Sequence, residues 1–272
     1  MKCQLFEKHP KTLLNQATGF LSDYTHSLNP YTGCAFGCSY CYVRQMPVSL
    51  FRQHEWGTWV DIKKDASLLL QKELQRAKAK GSVKIFMSSS TDPYQPIEHT
   101  CKVTRSLLEV MVENPPDFLL VQTRSPLVRR DLDLLKLLGK SVRVSMTVET
   151  DLEGVRKHFT PSAPPIPARL ETLRLLAEAG IPTQATIAPV LPSSEEFPRL
   201  LQPLVSRVCI DDYFMGDGSG GKRTRKLGIE RLYEEAGQAE WYSPAAYKIV
   251  YDRFLQVFAK EQLHVSQQGF AP

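Results

Sequence analysis

Short apolar runs alternate with longer amphipathic segments along most of the chain, between about residue 28 and residue 214. The short runs are rich in β-branched residues, which is typical of strands, and the longer ones carry leucines at helical spacing. Six candidate strands are predicted: a lead-in near Leu28 to Thr32, then runs that begin at Val83, Phe118, Val142, Pro182 and Arg207. Strands that alternate with helices indicate βα units around a parallel sheet.

The helical segments end at residues that stop helices. Helices are predicted over 65–80, 100–114, 130–138 and 167–179, and each is followed by glycine or proline. In the first helix, Leu68, Leu69, Leu70 and Leu74 are expected to form a buried stripe. Ser193 with Glu196 reads as a capping box that opens a further helix.

The order of elements predicts an α/β fold: a partial (β/α)6 TIM-like barrel with a C-terminal helical extension. An open doubly wound sheet is the alternative. Past Phe214 a glycine-rich basic stretch, "MGDGSGGKRTRKLG", precedes a helix predicted from Ser243 towards Leu263. We therefore expect a barrel core with its N-terminal lead-in over 1–214, and a basic loop and helix packed on that barrel over 215–272.

The composition is that of a globular protein, with 42% hydrophobic and 23% charged residues among 272. No apolar run approaches the roughly 18 residues of a membrane span, and no secretion signal opens the chain. A cytoplasmic protein without membrane contact is expected. The net charge of +5 is too small to indicate nucleic-acid binding, although "GKRTRK" concentrates positive charge.

The stretch "YTGCAFGCSYCYVR" holds three of the six cysteines, Cys34, Cys38 and Cys41, in the spacing C-x3-C-x2-C. It follows the first predicted strand, so it is expected at the carboxyl edge of the sheet, where βα loops collect. Gly33 and Gly37 would let its backbone fold tightly. The other cysteines stand alone, and lone cysteines are most often small core residues.

Three clustered thiols without a fourth ligand narrow the choice of metal. Structural zinc sites use four ligands, and no second Cys or His knuckle lies nearby, so zinc is disfavoured. Iron–sulfur electron carriers hold their clusters with four cysteines, which makes that class less favoured too. A cubane cluster bound by three cysteines leaves one iron free for an exogenous molecule.

With an aromatic residue, Tyr40, before the last cysteine, "GCAFGCSYCY" resembles the cluster loop of the radical S-adenosylmethionine (SAM) superfamily. The resemblance implies a 4Fe-4S cluster on Cys34, Cys38 and Cys41, with SAM chelated by the fourth iron. It also implies reduction by a flavodoxin- or ferredoxin-type donor. The reduced cluster would then cleave SAM to methionine and a deoxyadenosyl radical.

Polar residues stand where successive predicted strands end, as a SAM site in a barrel requires. They are Ser89, Ser90, Thr91 and Asp92 after strand two, Arg124 after strand three, and Ser145, Thr147 and Glu149 along strand four. Arg124 is a fork-shaped donor suited to the SAM carboxylate. The three strand-four residues alternate, so they share one face and are expected to hold the ribose and the sulfonium region.

Several segments also resemble the spore photoproduct lyase-like group: "LNPYTGCAFGCSYCYVR", "SSSTDPYQPIE", "VTRSLLEV", "TRSPLVRRDLDLL" and "ARLETLRLLAEAGI". The resemblance implies that Thr91, Arg124 and Ser145 contact SAM, and that Tyr40 and Tyr42 assist radical return. One departure concerns the hydrogen donor. The lyase has a cysteine three residues before the loop aspartate, and here that position is Ser89, whose O–H bond is too strong to break readily.

Two functional hypotheses follow. The first is a radical SAM enzyme that abstracts hydrogen from an unidentified substrate, for which nucleic acid is a candidate class. The second is a cluster- or zinc-containing module that binds nucleic acid through the loop 222–226, with Trp241 and Tyr242 as stacking partners, and does not turn over SAM.

Two further segments are expected near the reacting centre. The segment that holds His54, Trp56 and Trp59 is expected to cover the cluster and exclude water. Asp211, Asp212 and Tyr213, at the end of strand six, are expected to face the substrate.

Overall fold

The computed structural model describes residues 3–272 and places most strands in one eight-stranded sheet. The strands are β1 (Gln4–Lys8), β2 (Leu14–Gln16), β3 (His26–Leu28), β4 (Tyr31–Thr32), β5 (Trp59–Lys63), β6 (Lys84–Met87), β7 (Phe118–Thr123), β8 (Val142–Thr147), β9 (Thr183–Ile187), β10 (Val208–Ile210) and β11 (Leu263–Val265). The large sheet has the order β11-β10-β9-β8-β7-β6-β3-β2, and every neighbouring pair is parallel except β2 and β3.

Along the chain, most helices come between consecutive strands of this sheet. They are α1 (Pro47–Leu50), α2 (Ala66–Lys78), α3 (Glu98–Cys101), α4 (Val103–Glu113), α5 (Leu132–Leu138), α6 (Glu153–Phe159), α7 (Ile166–Glu178), α8 (Phe197–Leu201), α9 (Tyr213–Gly216), α10 (Lys222–Lys226), α11 (Ile229–Glu235), α12 (Ala246–Leu255) and α13 (Gln267–Phe270). None of them, across residues 3–272, combines the length and the apolar character that crossing a membrane demands.

The predicted α/β class with a parallel, incomplete barrel is confirmed. The six predicted strands correspond to β3 and β6 to β10. At least one helix lies in the chain between each of these six strands and the next of the six. Within the described residues β2 and β11 do not pair with each other, so the sheet stays open. Because the strands are parallel, their carboxyl ends meet at one edge, which is where the site is built.

The core explains why these segments form these elements. In β7, Leu119, Leu120 and Val121 are fully buried, as expected of a central parallel strand covered on both faces. In α2, Leu70 and Leu74 are buried but Leu68 is 60% exposed, so the predicted four-leucine stripe is wrong at that position. Leu68 is two residues from Leu70, which places it about 200° away around the helix.

Several predicted boundaries moved for local reasons. The first predicted strand divides, since β3 ends at Leu28 and β4 joins β1 and β5 in a separate three-stranded sheet. The helix predicted over 100–114 is interrupted at Lys102, whose φ is +51°. The capping box is also wrong, because α8 begins at Phe197 and no side chain caps it.

The C-terminal region differs from its prediction more than the core does. The stretch predicted as a basic loop contains α10, and the helix predicted to run towards Leu263 ends at Leu255. Strand β11, which was not predicted, pairs in parallel with β10. Residues of this region therefore extend the main sheet, while the division of the chain at residue 214 stays a prediction.

Candidate active site

The cysteine loop follows β4 and is shaped by a close approach of the chain that leads into β5. Gly33 has φ +83°, and a Cβ atom there would lie 2.6 Å from the backbone oxygen of Trp59. Gly37 has φ +54° and lies against Gly57, where a Cβ would come within 2.9 Å of the Gly37 Cα. The predicted tight fold is thus present, and its immediate cause is contact with the segment 56–59.

Arg44 holds this loop from its far side. Its Nε donates to the backbone oxygen of Cys38 over 3.0 Å, and its Nη2 donates to that of Gly37 over 2.7 Å. Since the guanidinium is planar and rigid, the two bonds fix the backbone at the second cysteine.

All three loop cysteines line one cavity of about 620 Å³. Other lining residues come from the loop itself, from the segment before β5 and from the carboxyl ends of the strands: Tyr40, Tyr42, Trp56, Ser88, Ser89, Ser90, Thr91, Asp92, Gln122, Thr123, Arg124, Thr147, Asp211, Asp212 and Tyr213. The fold therefore brings six of the eight predicted SAM-binding residues to the cysteines. Ser145 and Glu149 are not among the lining residues.

The three thiols offer the donor type that iron–sulfur clusters use. They are free cysteines, two buried and one half-buried. Burial raises the pKa of each, and for Cys41, beside Cys38, it reaches about 12, so the thiolates require a compensating positive charge. Within residues 3–272, no three His, Cys, Asp or Glu side chains converge closely enough to bind one ion.

The loop after β6 is braced from within the protein. Thr91 Oγ1 donates to the backbone oxygen of Gly33 over 2.6 Å, and the Tyr42 hydroxyl donates to that of Ser89. Asp92 Oδ1 accepts from Thr123 Oγ1 at 2.7 Å, and its Oδ2 accepts from the amide of Arg124 at 2.9 Å. Asp92 thus joins the ends of β6 and β7, with its carboxylate engaged by the protein.

Ser88, which opens the polar loop predicted after strand two, is strained. Its φ is +80°, a region that favours glycine, and its buried Oγ has no hydrogen-bond partner in the described chain. Unsatisfied groups on strained backbone cluster at functional sites, which makes Ser88 a further candidate contact in this cavity.

Glu149 is the centre of a buried ionic network. Its Oε1 accepts hydrogen bonds of 2.5 Å from both Arg124 Nη1 and the Tyr40 hydroxyl, and its Oε2 accepts one of 2.6 Å from Arg169 Nη1. Burial alone would raise the pKa of Glu149, but the charges of Arg124 and Arg169 outweigh it and lower the pKa to about 2. The ionised carboxylate therefore holds Arg124 and Tyr40 in place.

Sequence reasoning missed Arg169, which is fully buried. A signal was present: Arg169 stands three and four residues before Thr172 and Leu173, so it shares the buried face of α7. An arginine on a buried helical face predicts a buried carboxylate partner.

Ser145 lies deeper in the sheet than the cavity. It stands in register between Gln122 of β7 and Gln184 of β9, and its Oγ accepts from Gln184 Nε2 at 2.9 Å. Thr147, two residues later, lines the cavity and accepts from Gln122 Nε2 at 2.6 Å. The contact of Ser145 with SAM stays a prediction.

The predicted cover over the cysteines is present in part. Trp56 is buried, lines the cavity and packs edge-to-face against Trp59 with ring centroids 6.0 Å apart. His54 instead packs against Phe6, with ring centroids 5.4 Å apart.

The aromatic residues proposed to stack nucleic-acid bases are half-buried and contact other side chains. The Arg253 guanidinium lies 5.5 Å from the Trp241 ring centroid, and the Tyr242 ring packs against Tyr213 and Phe214. The basic helix α10 is exposed at Lys222, Arg225 and Lys226. The stacking role of Trp241 and Tyr242 stays a prediction.

Comparison with known proteins gives one family match. The family model described as "Radical SAM superfamily" matches residues 28–202. An uncharacterised protein of Methanocaldococcus jannaschii is 35% identical over 165 residues, which cover 61% of this chain and 60% of the relative. An uncharacterised protein of Acidianus two-tailed virus is 32% identical over 176 residues, which cover 62% and 57%. The chain thus spans only part of these relatives' length.

Solved structures of spore photoproduct lyase share the fold. One mutant superposes with a TM-score of 0.65 at 17% identity, covering 96% of this chain and 81% of that one. Another mutant, solved with bound AdoMet and dinucleoside spore photoproduct, gives a TM-score of 0.64 at 18% identity over the same shares.

Proposed function

From the premise that the chain belongs to the radical SAM superfamily, we propose that it is a radical SAM enzyme of the lyase-like type. The superfamily predicted from the cysteine loop is confirmed, and so is the likeness in fold to spore photoproduct lyase. The proposed reaction is reductive cleavage of SAM, followed by abstraction of a hydrogen atom from a substrate in the same cavity.

The observation that carries this proposal is the shared cavity. Cys34, Cys38 and Cys41 would bind a 4Fe-4S cluster, and all three line the same space as the polar strand ends. When bound, the reduced cluster supplies the electron that splits SAM to methionine and a deoxyadenosyl radical. The protein contributes binding, orientation and exclusion of water.

The chain's own residues suit those tasks. Arg124 lines the cavity and is held by Glu149, so its guanidinium is fixed for a carboxylate such as that of SAM. Trp56 and the ring of Tyr40 are buried apolar walls that keep water from the reacting centre. Thr91 and Thr147 add hydroxyls at the ends of β6 and β8.

The fate of the substrate radical differs from the lyase route. Of the residues that line the cavity within the described chain, the only thiols are those of the cysteine loop, and Ser89 occupies the position of the lyase cysteine. A serine hydroxyl does not readily return hydrogen to a carbon radical. We therefore propose a different substrate from that of the lyase, with nucleic-acid derivatives as one candidate class.

The proposed setting is the reducing cytoplasm, because the cysteines must remain thiolates to bind iron. A flavodoxin- or ferredoxin-type protein is the proposed electron donor.

Anaerobic reconstitution with iron and sulfide tests the function. With dithionite and SAM, the brown protein is expected to release deoxyadenosine, measured by chromatography. Cys38→Ala is expected to lose both colour and product, while Cys101→Ser, which changes a half-buried thiol outside the cavity, keeps both. Release of deoxyadenosine by Cys38→Ala at the wild-type rate would contradict the proposal.

A further inference from the structure

Part of the cavity wall is built by chain outside the 28–202 segment matched by the family model. On its C-terminal side it includes Asp211, Asp212, Tyr213, Gly216, Asp217, Arg223 and Thr224, and on its N-terminal side it includes residues 16–18, Phe20, Leu21 and Ser27. The residues proposed to serve the cluster and SAM all lie within that matched segment. The later wall is therefore where this chain can build contacts of its own to a substrate.

Two carboxylates in this wall each keep an oxygen without a partner. Asp211 and Asp212 are 5% and 6% exposed, and both line the cavity. Asp211 Oδ1 and Asp212 Oδ2 accept no hydrogen bond from the described chain. Buried polar atoms are nearly always paired, so two unpaired carboxylate oxygens on adjacent residues point to a missing donor.

Both carboxyl groups are fixed in position. Asp212 Oδ1 accepts from the amides of Phe214 and Met215 at 2.8 and 2.9 Å, which makes it the N-cap of α9. Asp211 packs against Gly216, where a Cβ atom would lie 2.0 Å from Asp211 Oδ2. Only a glycine at position 216 leaves room for the carboxyl group, so the site is fitted to it.

The charge around the pair is negative. Burial, together with the neighbouring carboxylates of Asp212 and Asp217, raises the pKa of Asp211 to about 7. Asp217 itself is satisfied, since it accepts from the amide and hydroxyl of Ser219 at 2.6 and 2.8 Å. Arg223 lines the same wall, but it donates to the backbone oxygen of Asp217.

We propose that Asp211 and Asp212 bind a positively charged nitrogen group of the substrate, a protonated amine or an amidinium. Such a group donates N–H bonds to the two free oxygens and supplies the charge that buried carboxylates need. The assignment of this cation to a substrate rests on the proposed function, whereas its binding does not.

The binding test uses benzamidine as the probe and neutral benzamide as its isostere. The affinity of each for the anaerobically reconstituted protein is measured by calorimetry or by saturation-transfer NMR. Benzamidine is expected to bind at least about tenfold more tightly than benzamide, because it supplies charge-assisted hydrogen bonds. Asp211→Asn and Asp212→Asn, which keep side-chain shape, are each expected to weaken benzamidine by about tenfold.

Asp217→Asn is the matched control, since it removes one negative charge from the same wall at a carboxylate already hydrogen-bonded by the protein. It is expected to change benzamidine affinity by less than about threefold, the effect of charge at a distance. Equal binding of benzamidine and benzamide to the wild type overturns the proposal. So does an equal loss of affinity in all three variants.

The substrate test divides small molecules of a cell extract on a cation-exchange resin and adds each fraction to the protein with SAM and dithionite. The retained, cationic fraction is expected to stimulate deoxyadenosine release in the wild type but not in Asp212→Asn. Stimulation confined to the unretained fraction overturns the proposal. If no deoxyadenosine forms under any condition, the proposed function fails, while the benzamidine result still decides the cation site.

Discussion

The Tyr40 hydroxyl donates a hydrogen bond of 2.5 Å to Oε1 of Glu149. This bond joins the residue before the last loop cysteine to the chain just after β8. The bond gives Tyr40 a positioning role, and its predicted part in radical return stays a prediction.

Replacing Glu149 by glutamine tests the importance of this network. Glu149→Gln leaves Arg124 and the fully buried Arg169 facing a neutral amide, so the free energy of unfolding is expected to fall by about 3 kcal/mol. Chemical denaturation of the reconstituted protein measures the change. Glu171→Gln, which removes an exposed ion-pair partner of Arg174, is expected to leave stability unchanged. Equal stability of the two variants would count against the network.

Gly33 is expected to tolerate no side chain. Gly33→Ala combines a left-handed φ with a Cβ placed 2.6 Å from the Trp59 oxygen. Gly180→Ala is the matched control, because its φ is +73° but nothing lies within 4 Å of the new Cβ. The left-handed backbone should lower the free energy of unfolding of each variant by about 1 kcal/mol. The overlap of the new Cβ with Trp59 should lower that of Gly33→Ala by about 2 kcal/mol more. Calorimetry of thermal unfolding distinguishes the two variants. Equal losses of stability would show that Trp59 can move away from the new Cβ without destabilising the protein.

The stability of the ligand-free protein is expected to depend on pH through Asp211. Its pKa is raised from the usual 3.8 to about 7, so the folded protein holds this proton more tightly than the unfolded chain does. The contribution of that proton to the free energy of unfolding is complete below pH 3.8 and is lost as the pH rises through about 7. The groups that face Asp211 are Asp212, Asp217, Ser266, Cys209 and Tyr42.

Asp211→Asn removes that titration. The free energy of unfolding of the variant minus that of the wild type is therefore expected to be larger at pH 8 than at pH 5.5, by a few kcal/mol at most. The melting temperatures of both proteins at the two pH values give this difference. A difference that does not change with pH would show that Asp211 titrates normally in the fold.

Ser89→Cys should restore a hydrogen donor to the cavity. Ser89 lines the cavity, and its hydroxyl accepts from Asn29 Nδ2 at 3.4 Å. In D₂O with SAM and dithionite but no substrate, the S–D bond of the new thiol breaks, a C–D bond forms on the deoxyadenosyl carbon, and dithionite reduces the sulfur radical. Mass spectrometry is expected to find one deuterium in deoxyadenosine from this variant.

The wild type and Ser89→Ala serve as references for that labelling. Their deoxyadenosine is expected to stay largely unlabelled, because an O–D bond is too strong and alanine has no exchangeable hydrogen. Comparable labelling in all three proteins would identify another exchangeable donor in the cavity.

The sequence by itself determined the order of the βα units and the identity of the cysteine loop. Both are local: the period of apolar residues specifies strand or helix, and the C-x3-C-x2-C spacing of Cys34, Cys38 and Cys41 identifies the loop. It also determined that Ser89 to Asp92, Arg124 and Thr147 meet at one edge, because parallel strands present their carboxyl ends together.

Only the tertiary structure decided which of these residues reach the cavity and what holds them. Ser145 accepts a hydrogen bond from Gln184 within the sheet, and Glu149 forms ion pairs with both Arg124 and Arg169. Strand β11 and the small sheet of β1, β4 and β5 were missed for a related reason. Strand β11 has only three residues, and β1 pairs with β5, which is distant in the chain. Contacts across the fold, rather than a local pattern, therefore select these strands.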